Sequence, residues 1–163
     1  MTHNKTSALV VIDPAIKDFY ILEQRITEGI IPQAEVLILK PNKKEIQQIS
    51  HTVQKFPELS ELHIISQASP GCLYLGNSSL SVNNFNFYAS QLRKWSVSKI
   101  YLYGCNVGAK EIGKKLLVRL YRTTGAIIYT LNSDYGMRTK IGVGIWNTTQ
   151  YTLIKQELTA LTA

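Results

Sequence analysis

The sequence contains no long hydrophobic run. Nowhere do roughly eighteen apolar residues follow one another, so it offers no candidate transmembrane helix. The start of the chain, residues 1–7, leads directly into a short strand-like run that ends at Asp13-Pro14. It has neither the apolar region nor the small-residue cleavage site of a signal peptide. From these absences we expect a cytoplasmic protein.

Cysteine and histidine are also scarce. The two cysteines, Cys72 and Cys105, and the three histidines show no CxxC or HxxxH spacing, so neither a zinc motif nor a disulfide scaffold is indicated. The isolated carboxylates Asp13, Asp18 and Asp134 are typical of turns and caps. We therefore predict no metal site and no cofactor.

Phosphate-binding loops are missing as well. No GxGxxG follows the first predicted strand, and no GxxxxGK[ST] occurs. Gly113-Lys114-Lys115 falls inside a predicted helix, where it cannot act as a phosphate loop. Acidic residues number 11 against 18 Lys and Arg, which gives a net charge of +7. This balance favours an acidic partner: a nucleic acid, an anionic membrane surface or an acidic protein.

What is present is an alternation of β-branched runs and amphipathic segments. The pattern predicts strands over residues 8–12, 35–39, 62–66, 99–103 and 126–131, and helices over residues 16–27, 44–55, 82–95 and 109–122. Such alternation indicates a parallel sheet between layers of helices. We predict a single α/β domain over residues 1–163, a three-layer sandwich with a mainly parallel five- to six-stranded sheet and helices on both faces.

Smaller elements complete this prediction. Residues 71–80 read as a β-hairpin with Gly76-Asn77 at its turn. Ser81 is predicted to be the N-cap of the helix over residues 82–95. In the tail, residues 141–146 suggest a late edge strand, and residues 153–161 a short terminal helix.

Two predicted strands end in small or polar residues, where parallel sheets collect reactive groups. Cys105 follows Gly104 at one strand end and precedes a helix, which favours a thiolate nucleophile; the alternative is an inert buried thiol. A nucleophile of this kind needs a base within hydrogen-bond reach. None of the histidines is well placed, and the neighbouring strand end offers Gln67, which cannot take a proton at neutral pH.

The helix over residues 109–122 is rich in basic residues at spacings of three and four. They predict a basic face that could contact an acidic partner or phosphates, although a solvated helix surface has the same composition. The candidate binding residues are Lys110, Lys114, Lys115, Arg119 and Arg122.

The order of these motifs resembles an uncharacterised bacterial domain found at the amino terminus of very large cyanobacterial and proteobacterial adhesin-like repeat proteins. The resemblance covers about residues 9–146 and leaves residues 147–163 as a C-terminal extension. Its strongest parts are residues 62–71 (LHIISQASPG), 73–76 (LYLG) and 102–107 (LYGCNV). Weaker parts are residues 9–13 (LVVID), 34–39 (AEVLIL), 124–126 (TGA) and 144–146 (GIW).

That domain is in turn similar to caspase-like (clan CD) cysteine peptidases. In them one strand ends in a histidine-glycine pair and the next ends in the nucleophilic cysteine. The resemblance assigns the base position to Gln67, the following glycine position to Ala68 and the nucleophile position to Cys105. It implies a caspase-like fold whose catalytic pair is incomplete.

We therefore expect a pseudoenzyme that acts as a protein-binding or scaffold module, a small basic subunit that recruits an acidic protein partner or joins a larger cyanobacterial assembly. One alternative is a cysteine peptidase or hydrolase that uses Cys105 with an unidentified base. Another is nucleic-acid binding through the basic helix over residues 109–122, for which affinity should fall steeply with added salt.

Overall fold

The computed structural model describes residues 5–131, and of Cys105 and Leu131 it describes the backbone only. Over this range the elements are β1 (Ala8–Ile12), α1 (Phe19–Thr27), β2 (Ala34–Ile38), α2 (Glu45–Lys55), β3 (Glu61–Ile65), β4 (Ala68–Ser69), β5 (Cys72–Leu75), β6 (Ser78–Ser81), α3 (Phe85–Leu92), β7 (Lys99–Cys105), α4 (Lys110–Thr124) and β8 (Ile127–Leu131).

Five strands form a parallel sheet in the order β2-β1-β3-β7-β8. The first strand, β1, lies between two neighbours and all five of its residues are buried, as its uninterrupted apolar sequence predicts. The remaining strands, β4, β5 and β6, form a small antiparallel sheet. The predicted mainly parallel sheet is confirmed.

Helices cover both faces of the parallel sheet. On one face the buried strand side chains pack with apolar residues of α2, α3 and α4, which include Ile49, Phe85 and Leu117. On the other face they pack with Leu22 and Ile26 of α1. The protein is thus a three-layer α/β sandwich. None of the helices in the described part of the chain is long and apolar enough to cross a membrane.

Several predicted boundaries were wrong. The first helix begins at Phe19 rather than Ile16, because Asp18 adopts the left-handed φ of 53° and the preceding residues form turns. The fourth strand of the parallel sheet, β7, continues past Tyr103 to Cys105, with a register shift against β8 between Leu102 and Cys105.

The predicted cap at Ser81 is also wrong. Ser81 ends β6, and Asn84 is the N-cap of α3. The Asn84 side chain accepts a hydrogen bond from the Ser81 backbone N–H (2.9 Å) and donates one to the Ser79 carbonyl (2.8 Å), which keeps this stretch non-helical. The predicted strand over residues 141–146 and helix over residues 153–161 lie outside the described residues.

The chain adds its strands first on one side of β1 and then on the other. It passes outward from β1 to β2, then crosses to β3 on the other side of β1 and continues to β7 and β8. In open α/β sheets the carboxyl ends of the strands at such a switch point form a ligand crevice. Here those ends carry Asp13 after β1 and Gln67 after β3.

Candidate functional site

The segment that follows β3, which includes the short strand β4, touches the carboxyl end of β7. The residue before Cys105 is Gly104, and an ideal Cβ placed on it would lie 2.3 Å from the Cβ of Ala68, the residue after Gln67. The Gly71 backbone N–H donates a hydrogen bond to the Val107 carbonyl (2.8 Å), which joins the segment after β3 to the loop after β7. The backbone therefore brings the segments that carry Gln67 and Cys105 to one place at the carboxyl edge of the sheet.

Gln67 is exposed at this edge. Its carbonyl accepts a hydrogen bond from the Tyr74 backbone N–H (3.0 Å), so the adjacent strand β5 fixes the course of the loop. A side-chain amide can donate and accept hydrogen bonds, but it cannot remove a proton from a thiol at neutral pH. The segment after β3 therefore offers a polar side chain, Gln67, but no general base.

Two buried carboxylates hold the hairpin turn over the sheet edge. Asp13 accepts from the Gly76 backbone N–H (3.2 Å) and, with its other oxygen, from Ala15 N–H (3.0 Å). Glu45, which has no exposed surface, accepts from the backbone N–H of Asn77 and from the Ser78 hydroxyl (2.8 Å). Both carboxylates are thus already hydrogen-bonded within the chain.

Gly76 begins this turn with φ 60°, the conformation that the predicted hairpin requires at its first central residue. An ideal Cβ on Gly76 would lie 2.3 Å from a carboxylate oxygen of Glu45. The turn is therefore packed tightly against α2. Its hydrogen bond to Asp13 places it over the β1 end of the switch point, so the chain itself fills part of the crevice where related architectures hold a ligand.

His63 lies in the middle of β3 and has no exposed surface. Its Nε2 is 3.0 Å from Glu61 Oε1, and its Nδ1 is 2.9 Å from the Tyr103 hydroxyl. Because an ionised carboxylate only accepts, Nε2–H donates to Glu61 and the Tyr103 O–H donates to Nδ1. The imidazole also stacks on the Tyr101 ring, with 4.4 Å between centroids.

This network sets the protonation state of His63. Burial lowers the pKa of His63 below its ordinary 6.5, although Glu61 acts in the opposite direction. The hydrogen bond from His63 in turn lowers the pKa of Glu61, and burial raises the pKa of Tyr103. His63 is accordingly neutral near pH 7 and serves as a hydrogen-bonded part of the core. It points to the face covered by α1, away from the loops of the sheet edge.

We expect this histidine to make stability depend on pH. Since the unfolded chain binds the His63 proton more tightly than the folded protein does, the free energy of unfolding should fall as the pH drops from about 7.5 through 6.5. The slope should approach 1.4 kcal/mol per pH unit, roughly the value for one proton. Below pH 4.5 the lowered pKa of Glu61 adds a second loss. Urea denaturation at a series of pH values measures this profile.

The control for this profile is the exposed His51 on α2. The variant His51→Gln should keep the fall near pH 6.5, whereas His63→Phe should be less stable throughout but lack that fall. A wild-type profile that is flat between pH 7.5 and 6 would contradict the assignment of a neutral, buried His63.

Four of the five predicted basic residues of α4 are exposed: Lys110, Lys114, Lys115 and Arg122. Lys114 lies 3.5 Å from Glu111 on the same exposed surface. The fifth, Arg119, is half-buried, and its guanidinium donates hydrogen bonds to the Val82 carbonyl (3.1 Å) and to the Asn86 side chain. Gly113 lies within α4, so the Gly-Lys-Lys triplet is helical as predicted.

Among the described residues, no group of three His, Cys, Asp or Glu side chains could hold a metal ion. An open cleft of about 250 Å³ lies at the opposite, amino edge of the sheet, lined in part by Lys5, Thr27 and Gln33. This cleft is remote from Gln67 and Cys105, and it contains no carboxylate or histidine. Within the described range, Asp13 and Gln67 lie instead at the carboxyl edge.

Sequence reasoning missed two of these features. Glu45 stands in the first turn of a helix, where a carboxylate is ordinary, and nothing in the spacing shows that it reaches residues 77 and 78. The link between His63 and Tyr103 joins side chains 40 residues apart. The alternation of side chains along β3 and β7 could have indicated this contact, because His63 and Tyr103 fall on the same face of adjacent parallel strands.

A family model described as a domain of unknown function, DUF4347, matches residues 9–159. The matched range includes Gln67, Cys105 and the whole of α4. Among curated proteins, no match is found.

Proposed function

The chain belongs to the DUF4347 family, and we propose that it is a caspase-like domain without catalytic activity that binds an acidic protein segment through α4. In this proposal Gln67 and Cys105 mark a vestigial site, and the domain works as a small basic subunit of a larger assembly. The observation that carries the proposal is the combination of an exposed glutamine at the base position with a core histidine that is fully hydrogen-bonded elsewhere.

The loss of catalysis is supported by the residues around the sheet edge. A cysteine nucleophile needs a base that can reach its proton. Of the histidines in the described chain, His51 is exposed on α2 and His63 is buried among Glu61, Tyr101 and Tyr103. The nearby carboxylate of Asp13 already accepts hydrogen bonds from two backbone N–H groups.

Binding of an acidic protein is supported by the charge of α4. This helix carries four exposed cations and one exposed carboxylate, Glu111. A basic protein surface of this kind attracts acidic partners. An acidic peptide is favoured over nucleic acid because single-stranded nucleic acid is held by aromatic platforms beside the cations. On α4 the only aromatic residue is Tyr121, which is half-buried.

Fluorescence anisotropy with labelled decaglutamate tests this binding. Neutralising three exposed cations in Lys114→Gln/Lys115→Gln/Arg122→Gln should weaken binding about tenfold. This follows if each exposed contact contributes roughly 0.5 kcal/mol. The affinity of the wild-type protein should also fall as salt is added.

The matched control is the triple variant Lys17→Gln/Lys40→Gln/Lys94→Gln, which removes the same charge from exposed positions outside α4. It should change the affinity less than threefold. An equal loss in both triple variants would mean a general charge effect and would contradict a site on α4. Tighter binding of decathymidylate than of decaglutamate, lost in the α4 variant, would favour the nucleic-acid function instead.

A further inference from the structure

We propose that two copies of this chain pair edge to edge through β2. The two strands run antiparallel about a two-fold axis at Val36, so the parallel sheets of the two copies join into one continuous sheet. The inference concerns the edge of the sheet that β2 forms, and it does not depend on the binding of an acidic segment through α4.

The outer edge of β2 carries backbone groups that point away from the sheet. This strand is the last of the parallel sheet on its side, and within residues 5–131 no strand lies beyond it. On the inner side, the Leu39 N–H donates a hydrogen bond to the Ile12 carbonyl of β1 (3.0 Å). Because the backbone groups of successive residues point to opposite sides of a strand, those of Ala34, Val36 and Ile38 point outward.

Both ends of this open edge are closed. Pro32, just before β2, has no N–H to offer. Beyond β2, the next outward residue is Lys40, whose N–H donates to Gln48 Oε1 (2.9 Å) and whose carbonyl accepts from Gln48 Nε2 (2.7 Å). A side chain of α2 thus satisfies the backbone at that end. The open stretch is limited to three outward residues, and Val36 is its midpoint.

A second copy of β2 matches this stretch residue by residue. In an antiparallel pair, two residues of the hydrogen-bonded kind exchange both N–H···O bonds. A two-fold axis at Val36 sets Val36 opposite its own copy, and Ala34 opposite Ile38 of the second copy. Every outward N–H and C=O group of the stretch then has a partner. Since both edges are used in one closed pairing, this contact ends at a dimer.

The side chains of β2 agree with this register. Ala34, Val36 and Ile38 are half-buried on the face that α1 covers, and the pairing sets β-branched side chains beside one another, which stabilises antiparallel strands. On the other face Glu35, the one charged residue of β2, lies opposite Leu37 of the second copy and not opposite another Glu35. This strand contains no lysine, proline or bulge, the devices that protect natural sheet edges from pairing.

Light scattering during size-exclusion chromatography, over a series of protein concentrations, tests the dimer. The molar mass of the wild-type protein should rise from 18.4 kDa toward twice that value. Val36→Lys would set two ammonium groups against each other at the axis and should keep the mass at 18.4 kDa. The matched control is Ser96→Lys, which adds the same charge at an exposed position before β7; it should dimerise as the wild type does.

Disulfide cross-linking in the Cys72→Ser/Cys105→Ser background tests the register. Directly opposite residues of this kind have Cα atoms about 5.5 Å apart, within the range of a disulfide. Mild oxidation should therefore link Val36→Cys into a dimer, whereas Ser96→Cys should remain unlinked. The two copies of Ile38 lie roughly 13 Å apart along the strands, so Ile38→Cys should not link to itself but should link to Ala34→Cys when the two variants are mixed.

The outcomes decide the proposal even if Val36→Lys does not fold, because the cross-linking variants change the chain less. A wild-type protein that stays at 18.4 kDa at every concentration would overturn the dimer and leave this edge to a strand of another protein. A dimer in which Val36→Cys fails to link, or in which Ile38→Cys links to itself, would place the interface or its register elsewhere and would also overturn it.

Discussion

Gly104→Ala should lower the free energy of unfolding by about 3 kcal/mol, at the upper end of overpacking costs. The new Cβ would lie 2.3 Å from the Cβ of Ala68 and 3.2 Å from the Ser66 carbonyl oxygen. Neither atom can rotate away, because one is a methyl group on the backbone and the other is backbone itself. The strain would therefore have to be relieved by separating β4 from the end of β7.

The contact between residues 104 and 68 also predicts that a second substitution restores stability. Ala68→Gly removes the nearer atom, so the double variant Ala68→Gly/Gly104→Ala should recover more than half of the loss. Urea denaturation of the four proteins gives a double-mutant cycle, and we expect a coupling of about 1.5 kcal/mol or more. Ala15→Gly, at an exposed position that is not among the nearest neighbours of a Cβ on Gly104, is the control and should give no rescue. Strictly additive effects of Ala68→Gly and Gly104→Ala would mean that residues 68 and 104 do not touch.

Glu45→Gln should lower the free energy of unfolding by about 2 kcal/mol, the second large loss that we expect. The carboxylate accepts from the Asn77 N–H and the Ser78 hydroxyl inside the protein, and hydrogen bonds to charged groups contribute roughly 1.5–3 kcal/mol. The glutamine amide keeps only one acceptor oxygen. Its NH₂ group would therefore lie against one of the two donors, the Asn77 N–H or the Ser78 hydroxyl. The hairpin turn would then depend on its other attachments, the Gly76 N–H to Asp13 and the Asn77 side chain to the Pro41 carbonyl.

The comparison variant is Glu58→Gln. Glu58 is exposed and lies 3.5 Å from the exposed Lys5, an ion pair of the kind that contributes roughly 0.5 kcal/mol or less. If both glutamine variants lost the same small amount of stability, the buried attachment of the hairpin would be refuted.

The sequence predicted the parallel sheet well, because its strands are short apolar runs whose burial leaves little choice of structure. It also predicted the hairpin turn, since Gly76 is the residue type that takes φ 60° without strain. Helix ends were predicted less well. Asn84 displaces Ser81 as the N-cap through hydrogen bonds to β6, and a pattern of apolar spacing contains no information on such contacts.

The position of Gln67 and Cys105 at the carboxyl edge of the sheet follows from the strand pattern, whereas the side chains around them do not. Gln67 follows β3 and Cys105 ends β7, and neighbouring parallel strands end at a common edge. The carboxylate of Glu45 and the contact of Arg119 with α3 depend on side chains that are 32 or more residues from their partners along the chain. Of the five basic residues predicted for α4, Arg119 is the one that tertiary contacts hold in place.

The proposal that the domain has no catalytic activity is tested by the reactivity of Cys105. In the Cys72→Ser variant, the rate of alkylation by iodoacetamide would be followed from pH 5 to pH 9. At a vestigial site we expect slow labelling that rises only above about pH 8, as for a thiol with the ordinary pKa near 8.5. Rapid labelling that persists down to pH 6 would reveal a thiolate prepared for attack, and it would contradict the proposal that this site is vestigial.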